Sequence, residues 1–173
     1  MPTTIVKEGV LSASHGDSNS SLEEATHRLL HAWLFTAGFS ISKEAETAAE
    51  IRPQILVDPN WGGLRWKITK VDRKAGWIQY EMDPTSVMMG GPVLTAAKGD
   101  IQITETSDDK NDGTFQIVWK LEYQLSFLLT ICSCGFALIS TRDMFKTLME
   151  KDLNRVIETP SSEVPPLASK DVA

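Results

Sequence analysis

The residues of this 173-residue chain that could do chemistry are two tyrosines, five tryptophans and a few carboxylates. Tyr80 lies in WIQYEM and Tyr123 in TFQIVWKLEY, each within an alternating apolar and polar run. A phenol so placed could donate to a carbonyl or orient one, and Glu8 or Asp58 could accept a proton if buried. That would be acid–base work on a bound molecule, with no cofactor. For Glu8 two accounts are open. Ile5, Lys7 and Leu11 alternate against Val6, Glu8 and Val10, so either Thr3–Ser12 is an edge strand with Glu8 in water, or Glu8 faces inward as a buried carboxylate with a raised pKa. Arg65, Glu81 and Glu122 alternate away from the apolar sets and rank lower.

Other chemistries find no pattern to rest on. There is no hydrolase elbow, phosphate loop, dinucleotide fingerprint or zinc motif, and GGLRWK and MMGGP lack the helix-opening context of a phosphate site. His27 and His31 are spaced i,i+4 but fall nearly opposite the apolar face of their helix, with no carboxylate in an H-E-x-x-H arrangement. No metal is therefore expected. Cys132 and Cys134, at i,i+2, point to different helix faces and read as reduced core thiols.

A formal net charge of −6 offers no footprint for nucleic acid or for an anionic membrane, both of which reward clustered Lys and Arg. MPTTIVKEGV has no basic segment followed by an apolar one, so the expected compartment is the cytoplasm. The run Phe127–Ser140, FLLTICSCGFALIS, falls short of the roughly eighteen apolar residues of a membrane span and contains Thr, Ser and Gly, so it reads as a buried helix. Integral membrane association is not expected, and the chain is read as a monomer or homodimer.

Elements that would position these side chains follow in order. After the first strand, Ser21 and Glu24 form a capping box for a helix from Leu22 to about Ala37, with Leu22, Ala25, Leu29, Leu30, Trp33 and Ala37 on one face. Gly38 ends it, and a short second helix is expected over Ser42–Ala49. Strands follow at Ile51–Val57, Leu64–Val71 and Trp77–Met82, the last two a hairpin around Asp72-Arg73-Lys74-Ala75-Gly76. Pro84–Pro92 is either a lid or a plain surface loop. A short strand at Val93–Ala96, another at Asp100–Thr106 and a long one at Thr114–Tyr123 come next. One long helix is expected from Phe127 to Glu158, with a kink at Gly135, apolar all round at its start and striped later by Met144, Phe145, Leu148, Met149, Leu153, Val156 and Ile157. Residues 1–158 thus form one domain, and the proline-rich tail 159–173 is expected to be disordered.

A strand, two helices, a run of antiparallel strands and a terminal helix imply an α+β fold. Its curved antiparallel sheet of about six or seven strands wraps around the long C-terminal helix. Tyr80 in a strand, a connection ending at Pro92, Gly99 before a strand, and Gly113-Thr114 opening a strand with Trp119 and Tyr123 carry a resemblance. Over Thr3–Glu158 the chain resembles the SRPBCC superfamily, START-related helix-grip proteins that include polyketide cyclase/dehydrase-like members. The resemblance implies a hydrophobic cavity between sheet and helix for a polyketide, terpenoid or sterol-like molecule. It supplies no catalytic signature to transfer. On the residues' own terms, Trp66, Tyr80, Met82, Phe115, Trp119 and Tyr123 fall on inward sets, with Trp33 and Leu128 added from the helices. These side chains either line a pocket or fill a dry core. The expected activities are a cofactor-independent cyclase or isomerase first, then a non-catalytic carrier, then an interaction adaptor with its cavity collapsed.

Overall fold

The structure is a computed structural model, and it describes residues 2–12, 21–36, 55–58, 64–82, 94–106, 114–127, 131 and 136–160. Their elements are β1 (Thr3–Ser12), α1 (Leu22–Thr36), β2 (Ile55–Asp58), β3 (Leu64–Asp72), β4 (Trp77–Met82), β5 (Leu94–Glu105), β6 (Thr114–Leu125) and α2 (Phe136–Glu158). The strands form one six-stranded sheet in the order β1-β6-β5-β4-β3-β2, antiparallel throughout. The expected second helix and the Pro84–Pro92 connection lie outside the described residues, as do Leu128, the cysteines and residues 161–173.

Strict alternation builds the dry face of this sheet. In β6, Phe115, Ile117, Trp119, Leu121, Tyr123 and Leu125 are all buried, while the residues between them are exposed or half-buried. Ile78, Tyr80 and Met82 of β4 and Ile101 and Ile103 of β5 continue the same face. The β3–β4 turn closes on Gly76, whose φ of 65° suits glycine and whose missing side chain lets the backbone of Ile103 approach. Asp72 accepts from the backbone N–H of Ala75 at 3.0 Å and completes that turn.

The segments Val93–Ala96 and Asp100–Thr106 are expected as two strands, but Leu94–Glu105 is one strand, β5. Gly99 does not break it, because the glycine lies in the ladder opposite Tyr80 and Leu121, and the irregularity falls instead between Leu94 and Ala96. Helix α1 starts as the capping box requires, with the Glu24 N–H donating to Ser21 Oγ at 3.3 Å. One expectation for α1 fails. His27 is buried, not solvated, because the packed face extends through Ala25, Thr26, Leu29, Leu30 and Ala32.

The terminal helix also differs from the reading of one enclosed rod. Helix α2 is described from Phe136, Phe127 and Ile131 are also helical, and Phe127, Ile131 and Ile139 are 77%, 58% and 60% exposed. The apolar start is therefore not sealed all round. What α2 buries is the later stripe of Phe145, Met149, Leu153 and Val156. It crosses β1 at Gly9, where a Cβ would sit 2.9 Å from Leu153, and Lys7 reaches Glu150 on α2 at 2.8 Å.

Arg28 ties three elements together, donating to the carbonyls of Ser12 at 3.0 Å and Thr159 at 2.6 Å. The second bond satisfies a backbone group at the end of α2 that the helix leaves open. Arg28→Ala is expected to lower stability by about 1–2 kcal/mol in urea melts. A loss below about 0.3 kcal/mol would show that the tie carries nothing.

Candidate functional site

The site is assembled on the inward face by strand pairing. Tyr80 faces Gly99 on β5, and its ring lies over the space that a side chain at 99 would occupy. The ring therefore reaches toward β6, where Trp119 Nε1 donates to the Tyr80 hydroxyl at 2.6 Å. Trp66 of β3 meets the Tyr80 ring edge-on with centroids 5.2 Å apart, and Trp119 does the same at 6.4 Å. Three aromatic side chains from three strands are thus locked into one wall. Burial pushes the Tyr80 phenol well above its ordinary range. The Trp119 hydrogen bond opposes this, and the charges of Asp152 and Asp100 add to it. Tyr80 keeps its proton.

Tyr123 is the second phenol on this face. Its ring packs on Phe145 of α2 with centroids 5.0 Å apart. Its hydroxyl is buried and finds no hydrogen-bond partner among the described residues. Burial raises its pKa; the Thr3 side chain opposite it opposes this through a polar contact that falls short of hydrogen-bond geometry. A buried hydroxyl left unpaired costs about 1–3 kcal/mol, so this atom calls for a partner.

A third polar group was not foreseen. Asp152 is only 3% exposed and sits on the buried stripe of α2, among Met149, Leu153 and Val156. Its charge adds to the rise in the Tyr80 pKa. The available sequence signal was phase, because 145, 149, 152 and 156 follow the i, i+4, i+7, i+11 spacing of a packed helix face.

The remaining expectations divide clearly. Trp66, Tyr80, Met82, Phe115, Trp119 and Tyr123 are all buried on the inward face. Glu8 does not join them. It is exposed on the outer face of edge strand β1 between Val6 and Val10, because Ile5, Gly9 and Leu11 are the residues turned toward α2 and the core. Asp58 ends β2 and Trp33 belongs to α1, but their side chains, like Leu128, lie outside the described residues. Glu81 is exposed, and Glu122 is held below the usual carboxylate range by hydrogen bonds from Lys120 and Lys98.

At the end of the sheet, Met82, Ala97 and Tyr123 together with Pro2, Lys98 and Glu122 are among the residues lining an open cleft of about 540 Å³. On the outer face, Trp77 and Gln79 donate to Asp100 at 2.8 and 2.9 Å, and Lys70 lies 4.1 Å from the centre of the Trp77 ring. Among the described residues no three His, Cys, Asp or Glu side chains are grouped to hold a metal, and no helix is long and apolar enough to cross a membrane.

No family model and no curated protein matches the sequence. Solved structures do match in shape. The protein XoxI from Bacillus cereus aligns with a TM-score of 0.58 at 13% identity, over 90% of this chain and 93% of that one. Ara h 8.0201 aligns with a TM-score of 0.56 at 10% identity, over 91% and 96%. The di-domain ARO/CYC BexL from the BE-7585A biosynthetic pathway aligns with a TM-score of 0.50 at 12% identity, over 89% of this chain and 45% of that one. At such identities the likeness is one of fold: an α+β helix-grip arrangement, with an antiparallel sheet and a long terminal helix.

Proposed function

We propose that this chain, which has the helix-grip fold of the SRPBCC superfamily, holds a hydrophobic small molecule between its sheet and its terminal helix. A polyketide, terpenoid or sterol-like body would suit the Trp66, Met82, Phe115 and Trp119 surfaces, with its oxygen set by Tyr123. The observation that carries this reading is the Tyr123 hydroxyl, buried on the inward face and without a hydrogen-bond partner among the described residues. An apolar interior with a few placed polar atoms grips a body and orients one end of it. That one structural neighbour is a di-domain ARO/CYC of a biosynthetic pathway agrees with a polyketide-like ligand.

Two activities follow from such binding. In the first, the interior folds a flexible ligand into a reactive conformation and promotes a cofactor-independent cyclisation or isomerisation. Tyr80, Tyr123 and Asp152 would supply its polar contacts. In the second, the protein is a carrier, and one observation favours it. Tyr80 is hydrogen-bonded by Trp119 and held in its neutral form, which suits a fixed wall better than a proton donor. A ligand that leaves the protein with its mass and chromatographic mobility unchanged supports the carrier, and a cyclised or isomerised product supports the enzyme.

Binding itself is tested with 2-acetylnaphthalene, a fluorescent ketone whose carbonyl can accept from Tyr123. Tyr123→Phe is expected to weaken its binding about five- to tenfold while leaving the melting temperature unchanged or slightly higher, since an unpaired buried hydroxyl is removed. Equal affinity in the two proteins would remove Tyr123 from the site.

A further inference from the structure

We infer that Thr3 is a positioning residue for the ligand's oxygen: its hydroxyl donates to that of Tyr123 and so turns the Tyr123 proton toward an accepting atom of the ligand. This rests on the ligand-binding reading and names the residue that selects an acceptor, a carbonyl above all, at the Tyr123 end. The premise is strand register. β1 and β6 pair without a shift from Thr3↔Tyr123 to Ser12↔Thr114, so the two hydroxyl-bearing side chains stand directly opposite each other. Directly opposed side chains have their Cβ atoms about 4.5–5.5 Å apart and share a face. For this pair it is the inward face, which Ile5, Leu11 and Leu121 continue in burial. Ala97 flanks Tyr123 on the other side, on β5, and Phe145 packs on its ring from α2. Of these three neighbours only Thr3 can hydrogen-bond through its side chain.

The direction of the bond follows from the chemistry of two hydroxyls. A tyrosine hydroxyl has one proton and accepts as well, and a threonine hydroxyl rotates to suit its partner. If Tyr123 gave its proton to Thr3, it would present only lone pairs to the ligand. If Thr3 gives its proton to Tyr123, the phenol proton is left for a carbonyl oxygen, and the two bonds polarise each other in one chain. Burial raises the Tyr123 pKa and the Thr3 side chain lowers it, as a donor to the phenol oxygen does. In the structure the two side chains are in polar contact without hydrogen-bond geometry. The bond is completed with the ligand, and until then Tyr123 stays unsatisfied.

The test compares 2-acetylnaphthalene with 2-isopropenylnaphthalene, in which a methylene group replaces the carbonyl oxygen, by fluorescence titration of folded proteins. Thr3→Val keeps the side chain's shape without its hydroxyl. It is expected to weaken binding of the ketone about three- to fivefold and of the hydrocarbon less than about twofold. Thr3→Ser, which keeps the hydroxyl, is expected to bind the ketone within about twofold of wild type. In a Tyr123→Phe background Thr3→Val should change ketone affinity by less than about twofold, because no phenol is left to aim. Should Thr3→Val not fold, Thr3→Ala carries the same expectation. Equal ketone affinity in Thr3→Val and wild type, with Tyr123→Phe weakened, overturns the Thr3 assignment and leaves ligand binding at Tyr123 standing. So does an equal loss for both probes, a loss of the same size in Thr3→Ser, or a loss that persists in the Tyr123→Phe background. A ketone that fails to bind wild type, or binds Tyr123→Phe as tightly, overturns both.

Discussion

Gly99→Ala is expected to destabilise the protein by about 3 kcal/mol, or roughly 6–12 °C in melting temperature for a chain of this size. A methyl group at 99 would land on the Tyr80 ring, meeting its ring carbons and its hydroxyl oxygen. The ring has nowhere to go. Trp66 stands against it at 5.2 Å, and lifting it off the strand would break the 2.6 Å bond from Trp119. The loss should depend on the tyrosine. In a Tyr80→Ala background the same Gly99→Ala change is expected to cost less than about 1 kcal/mol, a coupling that a double-mutant cycle reads directly. A Gly99→Ala protein melting within 2 °C of wild type would show that Tyr80 is not locked as described.

Phe145→Ala is expected to cost about 3–5 kcal/mol in chemical denaturation, the largest effect of any single truncation among the described side chains of α2. Phe145 is fully buried and packs its ring on Tyr123, so its removal opens a cavity where helix and sheet meet. Ile139→Ala is the control. Ile139 is 60% exposed, and its truncation is expected to change stability by less than about 0.5 kcal/mol. Similar losses from the two variants would mean that the buried face of α2 has been misidentified. Binding of the naphthyl probes should fall with Phe145→Ala even at temperatures where the protein remains folded, because Phe145 supports Tyr123.

Much of the sheet was legible because alternation with one dry face leaves a strong record. The inward set Phe115, Trp119 and Tyr123, Trp66 and Tyr80 on the two strands of the hairpin, and the Ser21–Glu24 cap could each be read from spacing and residue type. Strand β1 was ambiguous for a physical reason. Its two faces carry comparable apolar residues, Ile5 and Leu11 against Val6 and Val10, so periodicity alone could not fix its phase. The choice falls to Gly9, which lets Leu153 of α2 come close on the Ile5 face and so leaves Glu8 outside.

The helices were harder. His27 lies outside the stripe of large apolar residues on α1, yet it is buried, because helix packing there is wider than that stripe. The run from Phe127 looked enclosed because apolar residues occur on all its faces, but composition does not say which of them find cover; Phe127 and Ile131 do not. Asp152 escaped for the opposite reason. A charged residue in KDLNR reads as part of a solvated face unless its phase is followed strictly. Buried polar residues at packed positions depart from the binary pattern, which is why they mark candidate sites.

The central claim is that the interior between sheet and helix takes a small hydrophobic molecule whose polar end reaches Tyr123. Native mass spectrometry tests it most directly, with wild-type protein and Tyr123→Phe each titrated with 2-acetylnaphthalene. The expected result is a one-to-one adduct on wild type, with a weaker adduct on Tyr123→Phe at the same concentration. Bare protein mass at every probe concentration, from wild-type protein shown to be folded, would contradict the account.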